Sequence, residues 1–187
     1  MLQLIPVEKS AYRALYAAMK RDFPPDELPP CFAVRRNLRK GVYTALFLEE
    51  DGQEIGYIVM TAPDDSTNAL ISFLAVSPER RSKGYGGELL RLLRLRFAGR
   101  VLALEAEAPA AAASEEERLL RERRIRFYKR AGFRAAPTAR ANIFGVPMEI
   151  MVSTQEDVGS VRELMRGLYQ TALPSERWLR FIDVEDV

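Results

Sequence analysis

The chain has 187 residues, 48% of them hydrophobic and 29% charged, a balance that suits a soluble globular protein and excludes a disordered or collagen-like one. Its 28 basic and 26 acidic residues leave a net charge of +2, too even for a general nucleic-acid binder. Histidine is absent, which excludes Ser-His-Asp and Cys-His catalysis and histidine-containing zinc sites, and the single cysteine, Cys31, excludes an internal disulfide. No metal is expected, and Cys31 reads as a packed apolar residue. The N-terminus MLQLIPVEKS lacks the regions of a signal peptide, and no apolar run reaches membrane-spanning length. A cytoplasmic protein without membrane or nucleic-acid partners is expected.

Leu2–Val7 alternates and reads as a first strand, and Tyr12, Leu15, Tyr16 and Met19 recur at helical spacing between Ala11 and about Lys20. The prolines of FPPDELPP end regular structure there. Cys31–Arg39 reads as a short second helix that closes near Gly41. Val42–Glu49 and Glu54–Thr61 alternate around Glu50-Asp51-Gly52-Gln53, a hairpin signature. Ala62–Asn68 is polar and turn-rich, and Ala69–Val76 is a continuous apolar strand.

Gly84 to about Phe97 is a helix with Leu89, Leu90, Leu92, Leu93 and Leu95 over a broad face, followed by a strand at Val101–Glu107. Ser114–Ala131 is a charge-laden helix stopped by Gly132. A strand starts at Phe133 and another covers Val146–Val152, after a Phe144-Gly145 turn. Thr154 is placed to cap a last helix carrying Val158, Val161, Met165 and Leu168 on one stripe. The order β-α-α-β-β-β-α-β-α-β-β-α predicts an α/β fold, a mixed sheet with helices on it. Residues 1–152 are expected to form the domain, and residues 153–187 to add a C-terminal helical extension packed on it.

The chemistry concentrates in SPERRSKGYGGELL, where cations and glycines stand at the mouth of a helix. Such a mouth favours an anion, because the first amides of a helix have no internal partner and carry partial positive charge. A nucleotide P-loop fails, since Leu89 stands where GxxxxGK[ST] needs its second glycine. A dinucleotide fingerprint fails at the same residue, and Gly84 lies too far from the strand ending at Val76. The remaining pattern is R-x-x-G-x-G, Arg81-Ser82-Lys83-Gly84-Tyr85-Gly86, in which glycines remove Cβ atoms where backbone would touch a pyrophosphate.

A second stretch, RFYKRAGF, puts Tyr128 near the end of a helix that Gly132 terminates. With both stretches in hand the chain resembles the GNAT N-acetyltransferase superfamily. The matching segments are ISFLAVSPERRSKGYGGELL, LALEAE and FYKRAGF, in the family's order over roughly Ala69–Phe133, and the flanking hairpin and first helices fit as well.

The resemblance implies a mostly antiparallel mixed sheet with splayed middle strands, flanked by helices. It implies an N-acetyltransferase in which acetyl-CoA is the acyl-donor substrate. Transfer runs directly, in a ternary complex, to a primary amine of a small molecule or to an exposed peptide or protein amino group. The pantetheine arm pairs with the backbone of Leu74 and Val76, and the pyrophosphate meets the amides of Arg81, Ser82, Lys83, Gly84, Tyr85, Gly86 and Gly87. An amide near Phe73 or Leu74 polarises the thioester carbonyl. Tyr128 matches the general acid that protonates the departing thiolate. Glu105 aligns with a strand glutamate that acts as base in ribosomal-protein-acetylating relatives. Strand alternation puts Glu107 on the same face, so both carboxylates stay candidates.

Two positions depart from the family pattern. Ser72 stands where many members carry a strand glutamate, and Ala108-Pro109 replaces an asparagine that contacts the cofactor arm. These departures keep a second reading open, a catalytically degenerate GNAT module that binds acyl-CoA as a sensor or partner domain. The acceptor is expected beside FPPDELPP, with its Asp26 and Glu27, and beside the late PTARANIFGVP hairpin. Its identity is not written in these segments, and a homodimer is compatible with the resemblance.

Overall fold

The computed structural model describes residues 1–62, 67–154 and 157–187. It divides into two compact units, Met1–Ser66 with Ile71–Ala98, and Thr67–Leu70 with Gly99–Val187. The architecture is mixed α/β with mostly antiparallel strand pairing and flanking helices, as the resemblance implies.

In the first unit the chain runs β1 (Leu2–Pro6), α1 (Tyr12–Asp22), α2 (Cys31–Arg39), β2 (Tyr43–Glu50), β3 (Gln53–Thr61), β4 (Asn68–Val76, its first residues counted with the second unit) and α3 (Tyr85–Arg96). The strand order is β1-β2-β3-β4. Asp51 and Gly52, at φ 49° and 81°, make the two-residue left-handed turn that sets β2 against β3 with Glu50 opposite Gln53. Odd-numbered residues Ala45, Phe47, Tyr57, Val59, Phe73 and Ala75 share one buried cluster with Tyr12, Leu15 and Met19 of α1 and Val34 and Leu38 of α2. The even-numbered residues Leu46, Leu48, Ile58 and Met60 are buried too, so these strands are covered on both faces and read as apolar runs. Gly56 permits a close approach, since a Cβ there would lie 2.8 Å from the Ala75 carbonyl oxygen. Of the turn-rich reading at Ala62–Asn68, residues 63–66 lie outside the described residues.

The second unit contains β5 (Val101–Glu107), α4 (Glu115–Arg130), β6 (Arg134–Ala135), β7 (Thr138–Ile143), β8 (Val146–Val152), α5 (Val161–Ala172) and β9 (Ile182–Asp186). The order is β5-β8-β7-β9, with β6 also on β8. The strand expected from Phe133 onward is thus two pieces, broken around Pro137, whose missing N–H cannot serve a ladder. Ser160, not Thr154, caps α5. Its hydroxyl accepts from the Glu163 amide, and the helix starts later than the apolar stripe suggests. The strand β9 has no counterpart in the sequence pattern, which places only a helix and its tail there. It pairs antiparallel with β7, while Val161, Leu164, Met165 and Leu168 of α5 pack with Ala103, Ile150 and Val184 in one core. Among the described residues no helix is long and apolar enough to cross a membrane.

Candidate active site

The loop before α3 has the shape its glycines suggest. After a 3-10 turn at Pro78–Arg80, Ser82 and Gly84 take left-handed conformations, φ 62° and 88°, and Gly84 leads directly into the helix. Left-handed residues interleaved with ordinary ones curl the backbone so that its N–H groups form a concave, anion-seeking surface. The first amides of α3, those of Tyr85, Gly86 and Gly87, add donors that the helix itself cannot satisfy. A Cβ added at Gly84 or Gly87 would meet nothing within 4 Å. Close packing therefore does not explain these glycines; the left-handed φ of Gly84 calls for one there, while Gly87 leaves the first turn of α3 open to approach.

Side chains brace this loop from behind. Arg81 donates through Nε to the Val76 carbonyl at 2.9 Å and through Nη2 to Asp22 at 2.8 Å. Asp22, at the end of α1, has a side chain only 2% exposed and also binds Arg21. The Arg81 cation is thus already engaged, and the Val76 carbonyl with it. Glu50 performs the same service on the other side, accepting from the Tyr85 hydroxyl at 2.8 Å and from Arg80 at 3.3 Å. Lys83 is exposed and makes no ion pair among the described residues, so it is the loop cation available to a ligand. Leu74 is half-buried on β4.

In the second unit, Tyr128 sits in the last turn of α4, and the cap fixes its position. The Phe133 amide donates to the Tyr128 carbonyl and the Gly132 amide to that of Lys129, with Gly132 at φ 88°, a Schellman motif. The Phe133 ring closes the motif against Tyr128, with centroids 6.3 Å apart. Burial pushes the phenol pKa above its ordinary value, and the protonated hydroxyl is a donor.

The two carboxylates on β5 have different fates. Glu107 pairs with Arg121 at 3.1 Å and Arg124 at 3.2 Å, and Arg121 is itself buried and also holds the Ala108 carbonyl and Glu117. Among the described residues Glu105 pairs with no cation. It accepts from the Tyr169 hydroxyl at 2.9 Å to each oxygen, and burial, opposed by that hydrogen bond, lifts its pKa to about 7. A carboxyl balanced near neutrality exchanges protons readily, whereas Glu107 is committed to its arginines. Neither Asp22 nor Tyr169 is signalled in the sequence, since each meets its partner through tertiary contact alone.

Comparison with known proteins decides the lineage. The profile of the acetyltransferase (GNAT) domain matches residues 42–135, which include the loop, both carboxylates and Tyr128. The chain belongs to the GNAT acetyltransferase family. Among solved structures, it is similar to a protein assigned as a GNAT-family acetyltransferase from Bacteroides thetaiotaomicron. The two share 25% identity over 90% of this chain and 96% of that one, with a TM-score of 0.75. The GNAT fold also places it near the aminoglycoside acetyltransferase AAC(6')-Ib in complex with paromomycin and acetyl-CoA, at 19% identity, 82% and 93% coverage and TM-score 0.60. A ribosomal-protein alanine N-acetyltransferase from Escherichia coli is similar at 20% identity, 86% and 98% coverage and TM-score 0.55. No curated protein matches the chain in sequence.

Proposed function

We propose that the protein is an N-acetyltransferase that moves the acetyl group of acetyl-CoA directly onto a primary amine in a ternary complex. The observation that carries this reading is the curled loop Arg81–Gly87, with open space over Gly84 and Gly87 at the start of α3. Its amides and Lys83 suit a pyrophosphate, and the backbone of Leu74 with the amide of Val76, whose carbonyl Arg81 already occupies, is proposed for a pantetheine arm. GNAT relatives whose names state an acceptor act on aminoglycosides, spermidine or a ribosomal protein, all through amines. A single cysteine agrees with a cytoplasmic setting.

The chemistry assigns Glu105 as base and Tyr128 as acid. An amine of pKa near 10.4 costs roughly 4–5 kcal/mol to present as free base at pH 7, so a carboxylate that takes its proton, directly or through water, matters. The amine nitrogen bonds to the acetyl carbon, the carbon–sulfur bond breaks, and the electron pair leaves on sulfur. The Tyr128 hydroxyl then protonates the thiolate. Residues 1–152 are proposed as the transferase domain, extended by residues 153–187.

The test is calorimetric titration with acetyl-CoA followed by release of free thiol across a panel of amines. Binding with amine-dependent release supports the transferase. Binding without release from any amine leaves the acyl-CoA-binding module, and no binding removes the reading altogether.

A further inference from the structure

Around Tyr169 the second unit gathers aromatic rings that its core does not use. The Phe144 ring meets Tyr169 edge-on with centroids 6.1 Å apart. Phe181 stacks on Phe144 at 6.0 Å, and Trp178 follows at 5.8 Å. Despite these contacts Phe144 is 45% exposed, and Trp178 and Phe181 are each 37% exposed. A contiguous aromatic surface therefore starts at the residue that holds Glu105 and runs outward to solvent.

The backbone is strained to present it. Phe144 opens the turn between β7 and β8 with φ 51°, a left-handed conformation that a bulky residue adopts at a cost of about 1–2 kcal/mol. The Phe144 amide donates to the Phe181 carbonyl at 2.8 Å, which ties the turn to the segment before β9. An asparagine or glycine would make the same turn with less strain.

Charge then narrows the ligand. The acids of this C-terminal segment are engaged. Glu176 accepts from Gln170, Asp183 and Glu185 pair with Arg140, and Asp186 accepts from Ser160 and the Arg162 amide. Arg177 and Arg180 make no ion pair among the described residues, and their guanidinium groups lie over the Trp178 and Phe181 rings, 5.9 and 4.7 Å from the centroids. A free polycation gains little where guanidinium already covers the ring faces. An anion gains two charge-assisted partners on an apolar floor.

We propose that Phe144, Phe181 and Trp178, rimmed by Arg177 and Arg180, form the acceptor subsite for an amine whose flat or apolar body carries an anionic group. The inference rests on the acetyl-transfer reading above and deepens it by naming the class of acceptor. The amine end faces Glu105, and the anionic end reaches the guanidinium groups.

The experiment uses the full chain with acetyl-CoA and two acceptors of like shape, benzylamine and 4-(aminomethyl)benzoate, with spermidine as a polycationic contrast. Thiol release is expected to give kcat/KM about tenfold higher for 4-(aminomethyl)benzoate than for benzylamine, with spermidine the poorest. In the double variant Arg177→Gln, Arg180→Gln that ratio falls toward one, and Trp178→Ala lowers both aromatic acceptors about tenfold. The double substitution lies on an exposed segment, so it carries the test even if Trp178→Ala fails to fold. Equal or reversed preference, or a ratio unmoved in the double variant, overturns the inference while acetyl transfer itself stands. A dimer that Trp178→Ser dissolves also overturns it, because the rings are then covered by a second copy. Absence of acetyl-CoA binding and of transfer to any amine removes the function and the subsite together.

Discussion

The hydroxyl of Tyr169 on α5 donates to the Glu105 carboxylate on β5, 2.9 Å from each of its oxygens. Two influences set the proton affinity of that carboxyl. Burial raises it, and Tyr169 partly offsets the rise, to give a pKa of about 7. Glu107, on the same face of the strand, is paired with Arg121 and Arg124, and Ile150 stands opposite Glu105 on β8. If Glu105 is the base, kcat/KM rises with pH through about 7 as it ionises. Removing the hydroxyl in Tyr169→Phe leaves burial unopposed and is expected to move that limb upward by about one pH unit. A pH–rate profile with an unmoved limb and intact amplitude counts against the contact.

Glu105→Gln is expected to lower kcat by about 10²–10⁴-fold, the usual contribution of a positioned base. The same variant has a signature in stability. An unfolded glutamate ionises near pH 4.3, so between there and about 7 the folded chain keeps a proton that the unfolded chain has released. Stability therefore falls as pH rises through this window. Glutamine removes that slope, and urea unfolding at pH 5 and pH 8 should show a gain at pH 8 on the order of 2–3 kcal/mol relative to the parent. A parent curve that is flat over the window speaks against a proton-holding Glu105.

Burial holds the Tyr128 pKa above its ordinary value, and the Schellman cap fixes its backbone. Tyr128→Phe keeps the ring packing against Phe133 and removes the proton. Turnover is expected to drop about 10²-fold while calorimetric affinity for acetyl-CoA changes by less than about twofold. Turnover equal to that of the parent assigns Tyr128 to packing alone.

Gly87 lies inside α3 with open space where a Cβ would be, so Gly87→Ala should stabilise the fold by about 0.5–1 kcal/mol through helix propensity. The added methyl stands where a pyrophosphate would approach, and acetyl-CoA affinity is expected to fall about tenfold. Gly84→Ala differs, because φ 88° penalises any Cβ, and should destabilise by about 1–2 kcal/mol. Thermal unfolding with and without acetyl-CoA separates the two effects. A Gly87→Ala protein that gains stability and binds acetyl-CoA as the parent does removes the loop from the site.

The sequence announces what depends on neighbours along the chain. Asp51-Gly52 fixes a hairpin, and Ser114 and Gly132 bound α4 as local capping chemistry requires. The glycine-marked start of α3 is legible for the same reason, whereas the left-handed turn at Ser82 is not. What escapes notice depends on residues far apart. Asp22 meets Arg81 across 59 positions, and Tyr169 meets Glu105 across 64. The strand β9 is short and half charged, and its place comes from the ladder with β7 rather than from an alternating pattern strong enough to read alone. Thr154 is as good a capping residue as Ser160 by composition, and each has an acid three positions beyond it, so the local pattern does not tell them apart.

Asp186 binds the Ser160 hydroxyl and the Arg162 amide at the beginning of α5, and its carboxylate is held below the ordinary aspartate range by that company. The helix it steadies carries Tyr169 at the opposite end. A protease nick, a bulky fusion or a neutralised charge at Asp186 would therefore be transmitted along the helix as a loosened grip on carboxylate 105.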